Sequence, residues 1–138
     1  MSNPAPGFAK HPNYDVTIAP VDQPVQVKVG ETLVAQSANA VLLKETRHRP
    51  VWYLPTEDLI ETVLVDSDTR TYCPFKGYAS YWHIKTANGL IEDAIWTYKE
   101  PFDECLPIAS YASFYTNKVE LFIDGELAGS QGPGWIED

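Results

Sequence analysis

Ala79-Ser80-Tyr81-Trp82-His83-Ile84-Lys85-Thr86-Ala87-Asn88-Gly89-Leu90-Ile91-Glu92-Asp93-Ala94-Ile95-Trp96-Thr97-Tyr98 reads as two strands about a tight turn. Asn-Gly is the strongest two-residue hairpin signal, because the favoured turn needs positive φ at both central positions. The flanks are rich in aromatic and β-branched residues, which suit a pleated surface. With Asn88-Gly89 as the loop, Ala87 faces Leu90, Lys85 faces Glu92, His83 faces Ala94, Tyr81 faces Trp96 and Ala79 faces Tyr98. Side chains alternate with period two, so these pairs share one side of the pleat. Ser80 with Thr97, Trp82 with Ile95, Ile84 with Asp93 and Thr86 with Ile91 take the other. The second side is mainly aliphatic and predicts contact with a core. The first carries Tyr81, His83, Trp96 and Tyr98, aromatic with polar tips, and lines either a ligand cleft or a second packed layer.

Upstream lies Thr71-Tyr72-Cys73-Pro74-Phe75-Lys76-Gly77-Tyr78, which concentrates a thiol, an ammonium, a proline and a glycine. Pro74 fixes φ and Gly77 permits a left-handed or closely approached backbone, so Cys73 and Lys76 sit on a defined turn that enters the strand at Tyr78. Cys73 is either a structural cysteine on a tight turn or a nucleophile whose thiolate Lys76 or Arg70 would stabilise. His83, on the same side as Tyr81 and Trp96, is the nearest histidine that would serve it as a base. Lys76-Gly77 lacks the GxxxxGK pattern of a phosphate cradle, although a lone ammonium above backbone amides suits a carboxylate or phosphate.

Working further outward, Val25-Gln26-Val27-Lys28-Val29 and Thr32-Leu33-Val34-Ala35-Gln36 alternate about Gly30-Glu31 and predict a first hairpin. Val41–Lys44 gives a third strand, and Val51–Leu54, bracketed by Pro50 and Pro55, reads as an edge or peripheral strand. Thr56 is placed to cap a single helical turn. Asp66-Ser67-Asp68 reads as a turn; the alternative is a two-carboxylate magnesium grip, for which the Gly-Ser pair comes at residues 129–130, after the carboxylates rather than before them. Cys105–Ala109 predicts another helical turn. Tyr111–Tyr115 and Val119–Ile123 about Thr116-Asn117-Lys118 read as a last hairpin, with Asp124-Gly125 as a further turn.

A chain of 138 residues fits one domain and buries roughly two-thirds of its unfolded surface without a staple. The expected fold class is mainly β, a single compact domain of short antiparallel strands and hairpins (sandwich, open barrel or β-tent-like) with one or two short helical turns. Residues 1–20, interrupted by Pro4, Pro6, Pro12 and Pro20, form an extended N-terminal arm with at most a short strand at Val16-Thr17-Ile18. Residues 21–128 make the β-rich domain, and residues 129–138 an irregular tail.

A net charge of −9, with 10 basic residues scattered along the chain, disfavours a nucleic-acid surface, which needs a basic stripe. The one basic cluster, Lys44, Arg47, His48 and Arg49, is a solvated loop or a phosphate site. No apolar run approaches the roughly 20 residues that cross a bilayer. The start Met1-Ser2-Asn3-Pro4-Ala5-Pro6 has no charged and apolar leader, and Cys73 and Cys105 form no CxxC pair, which points to the cytoplasm and to free thiols. His11, His48 and His83 form no local ligand cluster, so neither a metal nor another cofactor is expected.

Four separated motifs carry a resemblance. They are Thr71-x-Cys73-Pro74-x-Lys76-Gly77-x-Ala79-x-Tyr81, Pro50-Val51-Trp52-Tyr53-Leu54-Pro55-Thr56-Glu57-Asp58, Ala94-Ile95-Trp96-Thr97-Tyr98 and Ile108-Ala109-Ser110-Tyr111-Ala112-Ser113-Phe114-Tyr115. Together they resemble the domain-of-unknown-function 427 family, sometimes labelled nucleotidyltransferase-like, from about Val25 to Leu127. The resemblance implies a compact β-rich domain found mainly in bacteria.

Three functions follow as expectations. The first is binding of a small molecule or anion in a pocket beside the Cys73 turn, lined by Arg70, Lys76, Gly77, Tyr81, His83, Trp96 and Tyr98. The second is an enzyme using Cys73 as nucleophile or redox thiol. The third is a protein-interaction or homo-oligomerisation module acting through exposed strand edges.

Overall fold

The structure is a computed structural model that describes residues 3–128. Among these residues, eleven strands form two antiparallel sheets that pack as an open sandwich with no closed barrel. The strands are β1 (Val16–Pro20), β2 (Val25–Val29), β3 (Thr32–Ser37), β4 (Val41–Glu45), β5 (Val51–Pro55), β6 (Leu64–Cys73), β7 (Gly77–Thr86), β8 (Gly89–Thr97), β9 (Tyr111–Phe114), β10 (Glu120–Ile123) and β11 (Glu126–Leu127). The larger sheet runs β1-β4-β5-β9-β8-β7-β6 and the smaller β11-β10-β2-β3. One α-helical turn, α1 (Gly7–Lys10), and three 3-10 turns, Thr56–Asp58, Glu61–Val63 and Asp103–Ile108, join them. No helix among the described residues is long and apolar enough to cross a membrane.

The larger sheet buries both faces. Toward the smaller sheet it presents Leu54, Ile84, Ile95, Ala112 and Phe114, which meet Val25, Val27, Val34 and Leu121 in an aliphatic core that is almost wholly shielded from solvent. Burying each large side chain of this kind is worth about 1.5–3 kcal/mol. Its outer face carries Val51, Tyr53, Ala79, Trp96 and Tyr98, covered by Cys105 and Ile108 of the 3-10 turn. Strand alternation sets this division: Tyr53 and Leu54 are adjacent yet belong to different layers, as do Ile95 and Trp96.

The hairpin of Tyr81 and Trp96 shows where periodicity holds and where it slips. Ser80↔Thr97, Tyr81↔Trp96 and Trp82↔Ile95 pair as expected. Nearer the turn the pairs become Ile84↔Ile91, Lys85↔Leu90 and Thr86↔Gly89, so Ala87-Asn88, and not Asn88-Gly89, is the loop. Gly89 (φ +122°) now opens β8 in a conformation closed to other residues. The offset is absorbed by a bulge in which Glu92, Asp93 and Ala94 oppose His83 alone, with Asp93 at φ 47°. The expected pairings His83–Ala94, Lys85–Glu92, Ala87–Leu90, Ile84–Asp93 and Thr86–Ile91 are therefore replaced.

The β2–β3 hairpin about Gly30 is found as expected, and so is the β10–β11 hairpin, whose Asp124 and Gly125 both have positive φ. Three other expectations are corrected. β5 is internal, paired with β4 and β9, because Pro50 precedes the strand and Pro55 is its last residue, so neither removes a donor from the middle of the ladder. Thr56–Asp58 has no side-chain cap; Asp58 instead accepts a hydrogen bond from Ser37 Oγ at 2.6 Å. Tyr111–Tyr115 and Val119–Ile123 do not pair: β9 lies in the larger sheet and β10 in the smaller, and the turn at Thr116–Lys118 carries the chain across the sandwich.

Asp66-Ser67-Asp68 is likewise not a turn: Asp66 pairs with Trp82, and Ser67, Asp68 and Thr69 bulge opposite Tyr81 within a continuous strand. Ser67 Oγ donates to Asp93 Oδ1 at 2.5 Å and accepts from the Thr69 N–H at 3.1 Å, while Thr69 Oγ1 donates to Asp93 Oδ2 at 2.7 Å. Two bulges, on the strands that flank β7, thus hold each other. In the N-terminal arm, the strand expected at Val16–Ile18 spans Val16–Pro20 and pairs with β4, and α1 precedes it. The tail at residues 129–138 lies outside the described residues.

Candidate functional site

Pro74, Phe75 and Lys76 form the connection between β6 and β7, closed by a 3.3 Å hydrogen bond from the Lys76 N–H to the Cys73 carbonyl. Gly77 has φ +118° and lies against the backbone of Glu100 and Pro101, a position where any Cβ adds strain. The bend overlooks the outer face of the larger sheet, and between them opens a cavity of ≈ 500 Å³.

Aromatic residues from four strands make its floor and side wall. Trp96 on β8 donates from Nε1 to the Tyr53 hydroxyl at 3.1 Å, and the two rings meet edge to face. On its other flank Trp96 contacts the Tyr115 ring, 4.5 Å between centroids. The Tyr81 hydroxyl bonds Thr71 Oγ1 at 2.9 Å and reaches the Tyr115 hydroxyl at 3.5 Å. Tyr98 is 8% exposed and lines the cavity with no hydrogen bond to its hydroxyl among the described residues. That hydroxyl is not sealed from solvent either, since no buried side-chain polar atom among the described residues lacks a partner.

The opposite corner is polar. The Lys76 ammonium, its side chain only 10% exposed, contacts Glu45 Oε1 at 2.5 Å. The Tyr14 hydroxyl donates to Glu45 Oε2. His48 Nδ1 lies 2.9 Å from the Thr46 carbonyl, which only accepts, so Nδ1 carries the proton and can also reach the Tyr14 oxygen at 3.2 Å. One carboxylate therefore collects the ammonium and the phenol, and the Lys76 charge is compensated within the corner. Burial pushes the Tyr14, Tyr53, Tyr98 and Tyr115 hydroxyls up from the ordinary phenol range, so all four remain protonated donors; for Tyr14 the Glu45 carboxylate adds to the effect.

Cys73 lines the cavity and is half-buried. Cys105 is sealed beneath the bend, its Sγ–H donating to the Phe75 carbonyl at 3.6 Å, and burial pushes its thiol up to about 12. The two thiols thus differ in access.

Of the residues expected to gather here, Cys73, Lys76, Tyr81, Trp96 and Tyr98 do line the cavity. Arg70, Gly77 and His83 do not. The Arg70 guanidinium caps its own strand, donating to the Ser67 and Thr69 carbonyls at 2.9 and 2.7 Å. Gly77 shapes the bend from behind. His83 Nδ1 accepts the Asp93 N–H at 2.9 Å, so that nitrogen cannot also donate to the Asp93 carboxylate 3.5 Å away. The hydroxyls of Ser67 and Thr69 hold Asp93 below the usual carboxylate range in spite of the opposing effect of burial.

Tyr14, Glu45, Tyr53 and Tyr115 are lining residues that local pattern did not single out as a site, and His48, which also lines the chamber, was read only as part of the basic cluster. Tyr53 and Tyr115 lie in quoted motifs, and aromatic segments were the signal for them. Tyr14 and Glu45 arrive by long-range contact, 31 residues apart, which no local pattern encodes. Tyr14 is delivered by the arm: its ring stacks on Phe75 at 3.8 Å, the Gly7 N–H donates to the Pro74 carbonyl at 2.9 Å, and a Cβ on Gly7 would strike Phe75 at 2.7 Å.

Fold and site define a two-layer antiparallel β domain with an aromatic chamber on its outer face. The family described as a domain of unknown function (DUF427) matches residues 17–125, most of the chain, and the chain belongs to that family. The match takes in β1 from Thr17 onward, which the resemblance starting near Val25 omitted, and it begins after the part of the arm that carries Tyr14. No curated protein matches the chain.

Proposed function

We propose that the chamber binds a small, uncharged organic molecule with an aromatic or aliphatic body and at least one hydrogen-bond acceptor. The Tyr98 hydroxyl, which lines the chamber without a hydrogen-bond partner among the described residues, is the observation that carries this reading, since a free donor on a concave, largely aromatic wall suits the acceptor of a guest. The Lys76–Glu45 pair favours a neutral guest over the anion also expected from the sequence, because the ammonium is already compensated. The test uses the neutral fluorescent probe N-phenyl-1-naphthylamine and mass spectrometry of whatever co-purifies. Saturable one-to-one fluorescence enhancement is expected, lost when Val51→Trp fills the chamber. Absence of saturation in the wild-type protein, or equal binding by the folded Val51→Trp variant, would sink the reading.

A second reading, in which Cys73 is a nucleophile or redox thiol, draws support from its place on the chamber wall. His48, which lines the same chamber, is then a better placed base than His83. Iodoacetamide at neutral pH should add one carbamidomethyl group quickly, at Cys73, and none at Cys105 until unfolding. A Cys73 as slow as Cys105 would remove this reading. We place the protein in the cytoplasm on the pattern of its two isolated cysteines.

A further inference from the structure

The arm and the β4–β5 turn enclose a second feature, an open groove of ≈ 470 Å³ that shares only Tyr14 with the aromatic chamber. Lys10 and His11 come from the end of α1 and the residue after it, and Arg47 and Thr46 come from the turn. No carboxylate lines it. Neither Lys10 nor Arg47 has an ion pair or a side-chain hydrogen bond among the described residues, whereas Lys76 and Arg70 are both engaged. The backbone N–H groups of Asn13 and Arg47 are also without partners there. Arg47 adopts φ 60°, a left-handed conformation uncommon for such a residue. The nearest carboxylates along the chain do not line the groove: Glu45 is engaged by Lys76 and Tyr14 in the chamber, and Asp15 is held to Thr46 through its backbone.

Two segments distant in sequence therefore bring uncompensated cations and free amide donors to one concave surface, on a chain whose net charge is −9. Like charges gathered without counter-charge repel, and an oxyanion between them relieves that repulsion while satisfying the amides. We propose that this groove is a binding site for a small oxyanion, a phosphate monoester or a carboxylate, held between Lys10 and Arg47. His11 and the Asn13 side-chain amide offer further donors. The sequence cluster Lys44, Arg47, His48 and Arg49 is thereby divided, with His48 turned to the chamber and Arg47 to the groove. The site stands independently of what occupies the chamber.

The test is a two-dimensional ¹H–¹⁵N NMR titration at low ionic strength with inorganic phosphate in one arm and acetate in the other. Saturable shifts confined to residues 10–13 and 46–47 are expected, with affinity falling about tenfold when Lys10→Ala and Arg47→Ala are combined, the loss of about one charge-assisted hydrogen bond. Both substitutions lie on exposed residues, so the fold persists. Lys85→Ala with Lys99→Ala, equal in charge change, should leave the affinity as it was. Saturation by phosphate alone assigns a phosphate ester, and saturation by acetate assigns a carboxylate. Shifts that rise without saturating, that scatter over the surface, or that survive the Lys10→Ala/Arg47→Ala double substitution would overturn the proposal.

Discussion

The two faces of the larger sheet are built from the same strands, yet they are different materials. The face toward β2, β3 and β10 is mainly aliphatic, with Phe114 set among Leu54, Ile84 and Ile95, and it is closed. The outer face mixes Tyr53, Trp96, Tyr98 and Cys105 with Val41, Leu43, Val51 and Ile108, holds a buried ion pair, and leaves a chamber open. Branched aliphatic side chains interdigitate to crystal-like density, whereas rings that must also direct hydroxyls to partners leave space between them. One face therefore supplies cohesion and the other supplies shape.

Phe114 and Tyr115 are adjacent and serve opposite faces, so they break the comparison most directly. Phe114→Ala should cost about 3–5 kcal/mol by urea unfolding, through loss of burial and the cavity left behind, and Tyr115→Ala less than half as much. Equal losses would mean that the outer layer is packed as tightly as the inner. Glu45→Ala comes next, at about 3 kcal/mol, because it strands the Lys76 ammonium in a site that is only 10% exposed. Glu45→Ala with Lys76→Met should recover most of that loss.

Alkaline pH separates the faces without mutation. Tyr14, Tyr53, Tyr98, Tyr115 and Cys105 all have pKa values raised by burial, and all belong to the outer layer. A raised value means that the unfolded chain gives up its proton first. The stability from these groups is therefore complete below the unfolded thiol and phenol values, about 8.5 to 10, and is lost as pH climbs toward the folded ones. Each group contributes a slope of about 1.4 kcal/mol per pH unit within its own window. Thermal unfolding followed from pH 8 to 11 should show Tm falling, and replacing Cys105 with Ala should make the fall shallower. The smallest effect on stability concerns Arg70, which is exposed and caps two carbonyls of the edge strand β6. Arg70→Ala should change stability by under about 0.5 kcal/mol but raise self-association in sedimentation, because the carbonyls it covers become available to another strand.

Period-two alternation was enough to separate Trp82, Ile84 and Ile95 from Tyr81, Trp96 and Tyr98, and so to assign the hairpin's core-facing side, while the aromatic side stayed open between cleft and packed layer. It could not show the bulge at Glu92–Ala94, because two extra residues change register without changing composition. His83 was misplaced for that reason: its neighbour became the Asp93 backbone. Arg70 was read as a pocket cation because sequence proximity to Cys73 says nothing of which edge a long side chain folds over. The sheet change at Thr116–Lys118 was equally hidden, since a turn of polar residues looks alike whether the chain returns to its own sheet or crosses to the other. Lys76 was recognised as unusual, but its partner Glu45 stands 31 residues away at the end of an ordinary strand.

Tyr14 completes the chamber from a segment that precedes the family match. The partition on that side is thus an attachment to the architecture and not a part of it. Under the proposed function, proteins that keep both sheets but differ in the residues ahead of β1 would admit guests of different girth without repacking a single strand.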